Sequence, residues 1–172
     1  MITAKVTHTN AGWDAALLKL LPELASKQIA VGFPKGKADL SEPHPGYADG
    51  MSIIDVAAAN EYGTETQPRR PFLHQSKPEL AAMFKEAQGS LAKAAKKAIK
   101  DGKAINVMPA LNKIALKAES IVKDTITNGE YEPNRPATIK RKQKGKAGVE
   151  TRPLIDSGDM RKYVTGVVRD VG

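Results

Sequence analysis

The chain has 172 residues, 41% of them apolar, with 14 glycines besides, which fits one domain able to bury about 70% of its unfolded surface. It contains no cysteine, which excludes a disulfide scaffold, a thiol nucleophile and a cysteine-ligated metal site and agrees with a reducing compartment. The net charge of +8 is uneven: residues 1–75 hold seven basic and eight acidic side chains, and residues 76–172 hold twenty and eleven.

A basic half suits an anionic partner, either nucleic acid or the acidic face of another protein; a solvated, lysine-rich helical face is the plainer alternative. Charge at Asp14 and Lys19 interrupts the apolar stretches, so no segment is long enough to cross a bilayer. The first residues lack the charged-then-apolar layout of a signal peptide.

Residues 13–27 read as a helix, with Asp14 as N-cap and Leu17, Leu18, Leu21 and Leu24 at helical spacing. Pro22 removes a backbone donor and kinks or splits it. Residues 28–33 form a short strand with apolar character on both faces. Residues 34–50 are a long loop rich in Pro and Gly, of the kind that binds or orders on contact with a partner. Residues 52–62 form a short helix, with Ser52 and Asp55 at capping-box spacing and Gly63 as a left-handed C-cap. Residues 68–72 are extended because of Pro68 and Pro71.

Two longer helices follow. Ser76 is expected to cap the first, with Pro78 in its first turn, and Leu80, Phe84, Ala87, Leu91, Ala95 and Ala98 trace its stripe. Lys85, Lys93, Lys96, Lys97 and Lys100 lie mostly off that stripe, and Asp101-Gly102 ends the helix. The second runs over residues 109–127, with a stripe of Leu111, Ile114, Ala118, Ile121 and Thr125, a Glu119–Lys123 pair, and Asn128-Gly129 as its stop. Residues 130–153 are irregular, and Pro136 opens a short helix over 137–142. The basic run Arg135, Lys140, Arg141, Lys142, Lys144, Lys146 and Arg152, set against Glu150, carries a net +6. Residues 160–171 read as a final strand, and no internal repeat is visible.

No catalytic constellation emerges. His8, His44 and His74 have no carboxylate or second histidine at helical ligand spacing, which gives a metal site no motif. A Gly-x-Ser-x-Gly elbow is absent. Gly32, Gly36 and Lys37 lack the spacing of a phosphate loop. Asp156 and Asp159 flank an Asp-Ser-Gly turn rather than form a catalytic pair. The basic run has no aromatic residue, so base stacking is unsupported; a nonspecific phosphate contact remains open.

Four strings stand in order: Ala30-Val31-Gly32-Phe33-Pro34, then Ile54-Asp55-Val56-Ala57-Ala58-Ala59-Asn60-Glu61-Tyr62-Gly63-Thr64, then Pro68-Arg69-Arg70-Pro71-Phe72-Leu73, and finally Arg152-Pro153-Leu154-Ile155-Asp156-Ser157-Gly158-Asp159-Met160. In this order, with two helices between the third and fourth, the chain resembles the small neck and tail-completion proteins of tailed bacteriophages. That family's loose pattern is a VGF strand, a helix ending in NEYGT or HEFGT, PxRPFLR, and a late PLIDTG before a strand. The likeness spans residues 29–168. His74 stands where the family has Arg, and Ser157 where it has Thr.

The resemblance implies a virion structural protein, not an enzyme, assembled in the host cytoplasm, with no cofactor and no metal. It implies a homo-oligomeric ring, such as a tail terminator or neck protein, that contacts tail-tube, sheath or connector proteins. Gly63 and Thr64 would shape the turn, and Asn60 and Glu61 would bond around it or to the next subunit. Arg70, Pro71 and Phe72 would pin the extended segment; Asp156 and Gly158 belong to the late motif. The expected fold is α+β: a small, mostly antiparallel sheet on two longer helices, with long loops at 34–50 and 129–152. The +6 run predicts a salt-sensitive contact, so reversing Lys140, Arg141 and Lys142 should block assembly without unfolding the chain. The alternative function is nonspecific DNA binding.

Overall fold

A computed structural model of the chain describes residues 21–34, 40–45, 47, 50–101, 106–144, 151–155 and 158–171. It is α+β. Strand β1 (Lys27–Gly32) pairs antiparallel with β2 (Thr165–Asp170), and among the described residues five helices lie between them: α1 (Ile53–Tyr62), α2 (Phe72–Lys100), α3 (Met108–Asn128), α4 (Pro136–Gln143) and α5 (Asp159–Tyr163). Ile29 faces Val168, Ala30 faces Val167, and an ion pair from Lys27 to Asp170 closes the far end.

Two strands alone are marginal in water and need a packing surface. Helix α3 supplies it by lying against both strands. The contact is close: a Cβ on Gly166 would stand 2.0 Å from the Ala115 carbonyl oxygen. The Glu119 carboxylate fixes the register. One oxygen accepts from Lys123 Nζ at 2.6 Å, and the other accepts the Gly166 amide at 2.9 Å. The expected Glu119–Lys123 pair thus holds a strand as well as a helix.

Helices α2 and α3 form an antiparallel hairpin. Met83 packs with Ala118 and Ile121, whereas Ala95, farther along α2, packs with Val107 and Leu111 at the start of α3. The predicted stripes lie on the right faces and include the buried Leu111, Ala118 and Ile121, but they miss the buried Met83 and Ile99 on α2 and Ala115, Val122 and Ile126 on α3. The largest cluster joins Ala57, Phe72, Val122, Ile126, Met160 and Val164, with Val31, Phe33, Val56, Leu73 and Leu154 packed around it.

Several boundaries differ from expectation. The helix expected over 13–27 is seen at residues 21–25 and yields to β1 at Lys27, while residues 13–20 lie outside the described chain. Helix α2 begins at Phe72, so Ser76 is not its N-cap; Ser76 is buried in the first turn and donates to the Leu73 carbonyl at 2.8 Å. The final segment is not one strand, because residues 159–163 wind into α5 before β2 begins. Gly63 has φ 78° but ψ 170°, a glycine conformation that is extended rather than left-handed helical. Gly129, at φ −64°, is ordinary backbone chosen for space, since a Cβ there would meet the Tyr131 hydroxyl at 2.4 Å. The capping box of α1 forms as expected: Asp55 N–H donates to Ser52 Oγ and Ser52 N–H to the Asp55 carboxylate. The described part of the 34–50 loop folds back on α1, with a bridge from Pro43 to Ser52 and the Ile54 amide donating to Leu40 at 3.3 Å.

Gly166→Ala should destabilise the fold by about 1–3 kcal/mol, because β2 must lift from α3 to admit the methyl group; chemical denaturation measures it. A second test uses Tyr131, whose hydroxyl donates to the Thr125 carbonyl at 2.7 Å. Burial, with the Glu61 carboxylate behind it, pushes that hydroxyl from 10 up to about 12. A raised pKa means the neutral form is favoured in the native state, so its contribution is full below pH 10 and is lost as pH rises toward 12. One of the four tyrosines should therefore ionise late in an ultraviolet titration. Tyr131→Phe should remove that late step and the matching part of the alkaline loss of stability.

Candidate functional site

The residues between α1 and α2 form a tight hydrogen-bonded knot. Helix α2 opens at Pro71, which offers no side-chain cap, so its first amides need acceptors from elsewhere. Glu61, in the last turn of α1, supplies both: Oε2 accepts the Leu73 amide at 2.8 Å, and Oε1 accepts the His74 amide at 3.1 Å. The residue is buried, and its negative charge sits where a helix N-terminus is positive. Asn60 ties the same corner together. Its Nδ2 donates to the Val56 carbonyl at 2.7 Å, its Oδ1 accepts from Gln67 at 2.7 Å, and its carbonyl accepts the Arg70 amide at 2.7 Å. Thr64 closes the turn by accepting the Gln67 amide at 3.0 Å. Arg69 Nε donates to the Glu61 carbonyl at 3.1 Å. Phe72 is fully buried and edge-on to Phe33 at 6.3 Å.

Asn60, Glu61 and Thr64 thus bond within this corner, and Phe72 fills the core beside it. Of the two roles left open for Asn60 and Glu61, the local bonds are the ones on view. Gly158, at φ 85° and ψ 0°, starts α5 in left-handed backbone; Asp156 lies outside the described residues.

Arg70 behaves differently. It is 6% exposed, and its side chain reaches 62 residues along the chain: Nε donates to the Glu132 carbonyl at 3.0 Å and Nη2 to the Pro133 carbonyl at 3.3 Å. Both acceptors are neutral. No carboxylate among the described residues forms an ion pair with it. Burial holds the guanidinium below its usual range, and the exposed Glu132 side chain opposes that only through its field.

Arg70 lines a cleft of about 330 Å³. One wall is α1 and the turn after it, with Val56, Asn60 and Gln67. The other is the start of α4 with Arg135, Thr138 and Lys142, and Leu154 and Met160 belong to the same lining. Spacings of three and four place Arg135, Thr138 and Lys142 on one side of α4. Asp159 also lines the cleft and approaches His44 Nε2 at 3.8 Å, while the His44 ring packs on Tyr47 and Tyr163.

The basic run is therefore not one free contact loop. Arg135, Lys140 and Lys144 are exposed. Lys142 Nζ donates to the carbonyls of Ile155 and Arg152, and Arg152 donates to the Thr127 carbonyl at 3.3 Å. These two cations close loops by capping backbone oxygens. Lys146 and the side chain of Arg141 lie outside the described residues. Among the described residues no group of three or more His, Asp and Glu is placed to hold a metal.

Sequence reasoning missed the cleft. Arg70 and Arg135 are 65 positions apart, and nothing local signals that they line the same cleft. It also missed Asn134, whose Nδ2 donates to the Thr151 carbonyl at 2.8 Å.

Glu61→Ala should cost about 2–4 kcal/mol by leaving the Leu73 and His74 amides without acceptors in a buried corner, whereas Glu61→Gln, which keeps one acceptor, should cost less. Denaturant midpoints measure the loss, and amide hydrogen exchange at Leu73 and His74 should accelerate before the rest of α2. No family model matches the chain, and no curated protein or solved structure matches it.

Proposed function

We propose that the protein is a structural component of a tailed-phage virion, acting at the head–tail junction as a tail-terminator, tail-completion or neck protein that assembles into an oligomeric ring. The observation that carries this reading is the convergence of the four strings that prompt it. Val31 and Phe33 come from the first, Val56 and Ala57 from the second, Phe72 and Leu73 from the third, and Leu154 and Met160 from the fourth. All meet in one cluster. Strings that recur in order across a family of divergent proteins are expected to be those that build its shared core, and here they do build one core. Their polar members tie the same corner together, which supports a scaffold role.

Surfaces for neighbours remain. Exposed Arg135, Lys140 and Lys144 project from or beside α4 and suit an acidic face of tail-tube, sheath or connector proteins. No helix among the described residues is long and apolar enough to cross a membrane. A virion location belongs to the proposal.

A second reading, nonspecific DNA binding, is favoured by the exposed Lys93, Lys96, Lys97 and Lys100 on α2. Its affinity would fall steeply with salt, and absence of binding in a low-salt filter assay would remove it.

The test is negative-stain imaging of lysates from a phage lacking the gene. Overlong tails would indicate a terminator, and normal tails beside unjoined heads a neck component. Intact infectious particles would overturn the proposal. The structure also changes which charges to reverse. Lys142 holds backbone carbonyls, so the 140–142 triple variant would disturb the fold. Reversal of Arg135, Lys140 and Lys144 to Glu should instead block assembly while leaving the thermal midpoint within a few degrees, since exposed substitutions usually change stability by no more than about 0.5 kcal/mol.

A further inference from the structure

We infer that the cleft between α1 and α4 is a carboxylate-binding site that receives an acidic side chain of a partner protein. Arg70 carries the inference. Among the described residues this buried guanidinium has only neutral hydrogen-bond acceptors, with the exposed Glu132 carboxylate acting on it through its field alone, and a charge so held is stabilised further by a counter-ion that can reach it. One can reach this one. Nη1 makes no hydrogen bond among the described residues, yet none of their buried side-chain nitrogens lacks a partner, so Nη1 is open to the cleft. A guanidinium pinned at Nε and Nη2 still presents fixed N–H donors, the arrangement suited to a planar carboxylate.

The rest of the cleft fits that occupant. Exposed Arg135 adds positive charge, and Asn60 and Thr138 add hydrogen-bonding groups. Val56 and Met160 give the same space an apolar side for the stem of a Glu side chain and a neighbouring residue.

Nucleic acid fits less well. Arg70 is recessed, whereas a backbone phosphate of duplex DNA is met by exposed cations. What supplies the carboxylate rests on the assembly reading above; the affinity of the cleft for one does not.

The experiment uses the whole chain, isotopically labelled, with three probes: N-acetyl-glutamate N-methylamide, its glutamine analogue and inorganic phosphate. The readout is the Arg70 Nε–Hε resonance together with the backbone amides of Asn60 and Thr138. The glutamate probe should shift these saturably and the glutamine analogue should not. Arg135→Glu, at an exposed position outside the hydrogen-bonded knot, should weaken the glutamate probe by about tenfold without altering the thermal midpoint. Absence of a saturable Arg70 shift with every probe overturns the site. Saturation by phosphate with none by the glutamate probe overturns the carboxylate assignment. If the glutamate probe binds here and particles lacking the gene are normal, the site stands and the assembly reading falls.

Discussion

The Glu61 carboxylate is the constraint on which the rest of the molecule depends. Helix α2 has 29 residues and begins immediately after a proline that caps nothing. Its Phe72 amide donates to the Arg70 carbonyl, and its Leu73 and His74 amides are satisfied because α1 ends with an acidic residue folded back over them. That contact sets the angle between α1 and α2. It brings Phe72 under Phe33 and Met160, and it aims the Arg70 side chain at the segment beyond α3. A helix dipole, a buried ring and a long-range arginine are thus positioned by one side chain.

A second constraint closes the opposite side. Strands β1 and β2 come from regions nearly 140 residues apart in the chain, and they are held as a sheet mostly by what lies beneath them. Glu119 resembles Glu61 in its use: a carboxylate on a helix accepts a backbone amide from another element, here Gly166. In both places a charge is neutralised by donors that the surrounding fold would otherwise leave unsatisfied. In a chain whose basic side chains outnumber its acidic ones 27 to 19, these two acids serve the fold itself, Glu61 buried and Glu119 partly buried beside Lys123.

This internal use of acids bears on function. Most charge that the chain offers to a partner is cationic, and it is divided among the lysines of α2, the exposed positions around α4, and the recessed Arg70. These differ in what they bind. The exposed lysines respond to field and salt, whereas the recessed guanidinium imposes geometry on its partner. A contact that uses both can be attracted at long range and then oriented at short range, which suits ordered assembly.

Much of the fold was legible in the sequence because its signals are local. The Ser52–Asp55 box, the 3.6-residue stripes of α2 and α3, the apolar run of β1 and the Glu119–Lys123 pair each need only neighbours within a turn or a strand. The misreadings have one physical cause. Ser76 looked like a cap because capping is usually local, and residues 160–163 looked like the start of a strand because so short a stretch carries little periodicity. Glu61 as the true cap, Gly166 against Ala115, and Arg70 beside Arg135 all depend on where distant segments pack. From order along the chain alone came the two long helices and their core faces, the first strand and the excess of positive charge. Only the tertiary structure decided which acids are taken up internally, which cations remain free, and that a buried arginine opens onto a cleft, because burial and counter-charge are properties of space rather than of order along the chain.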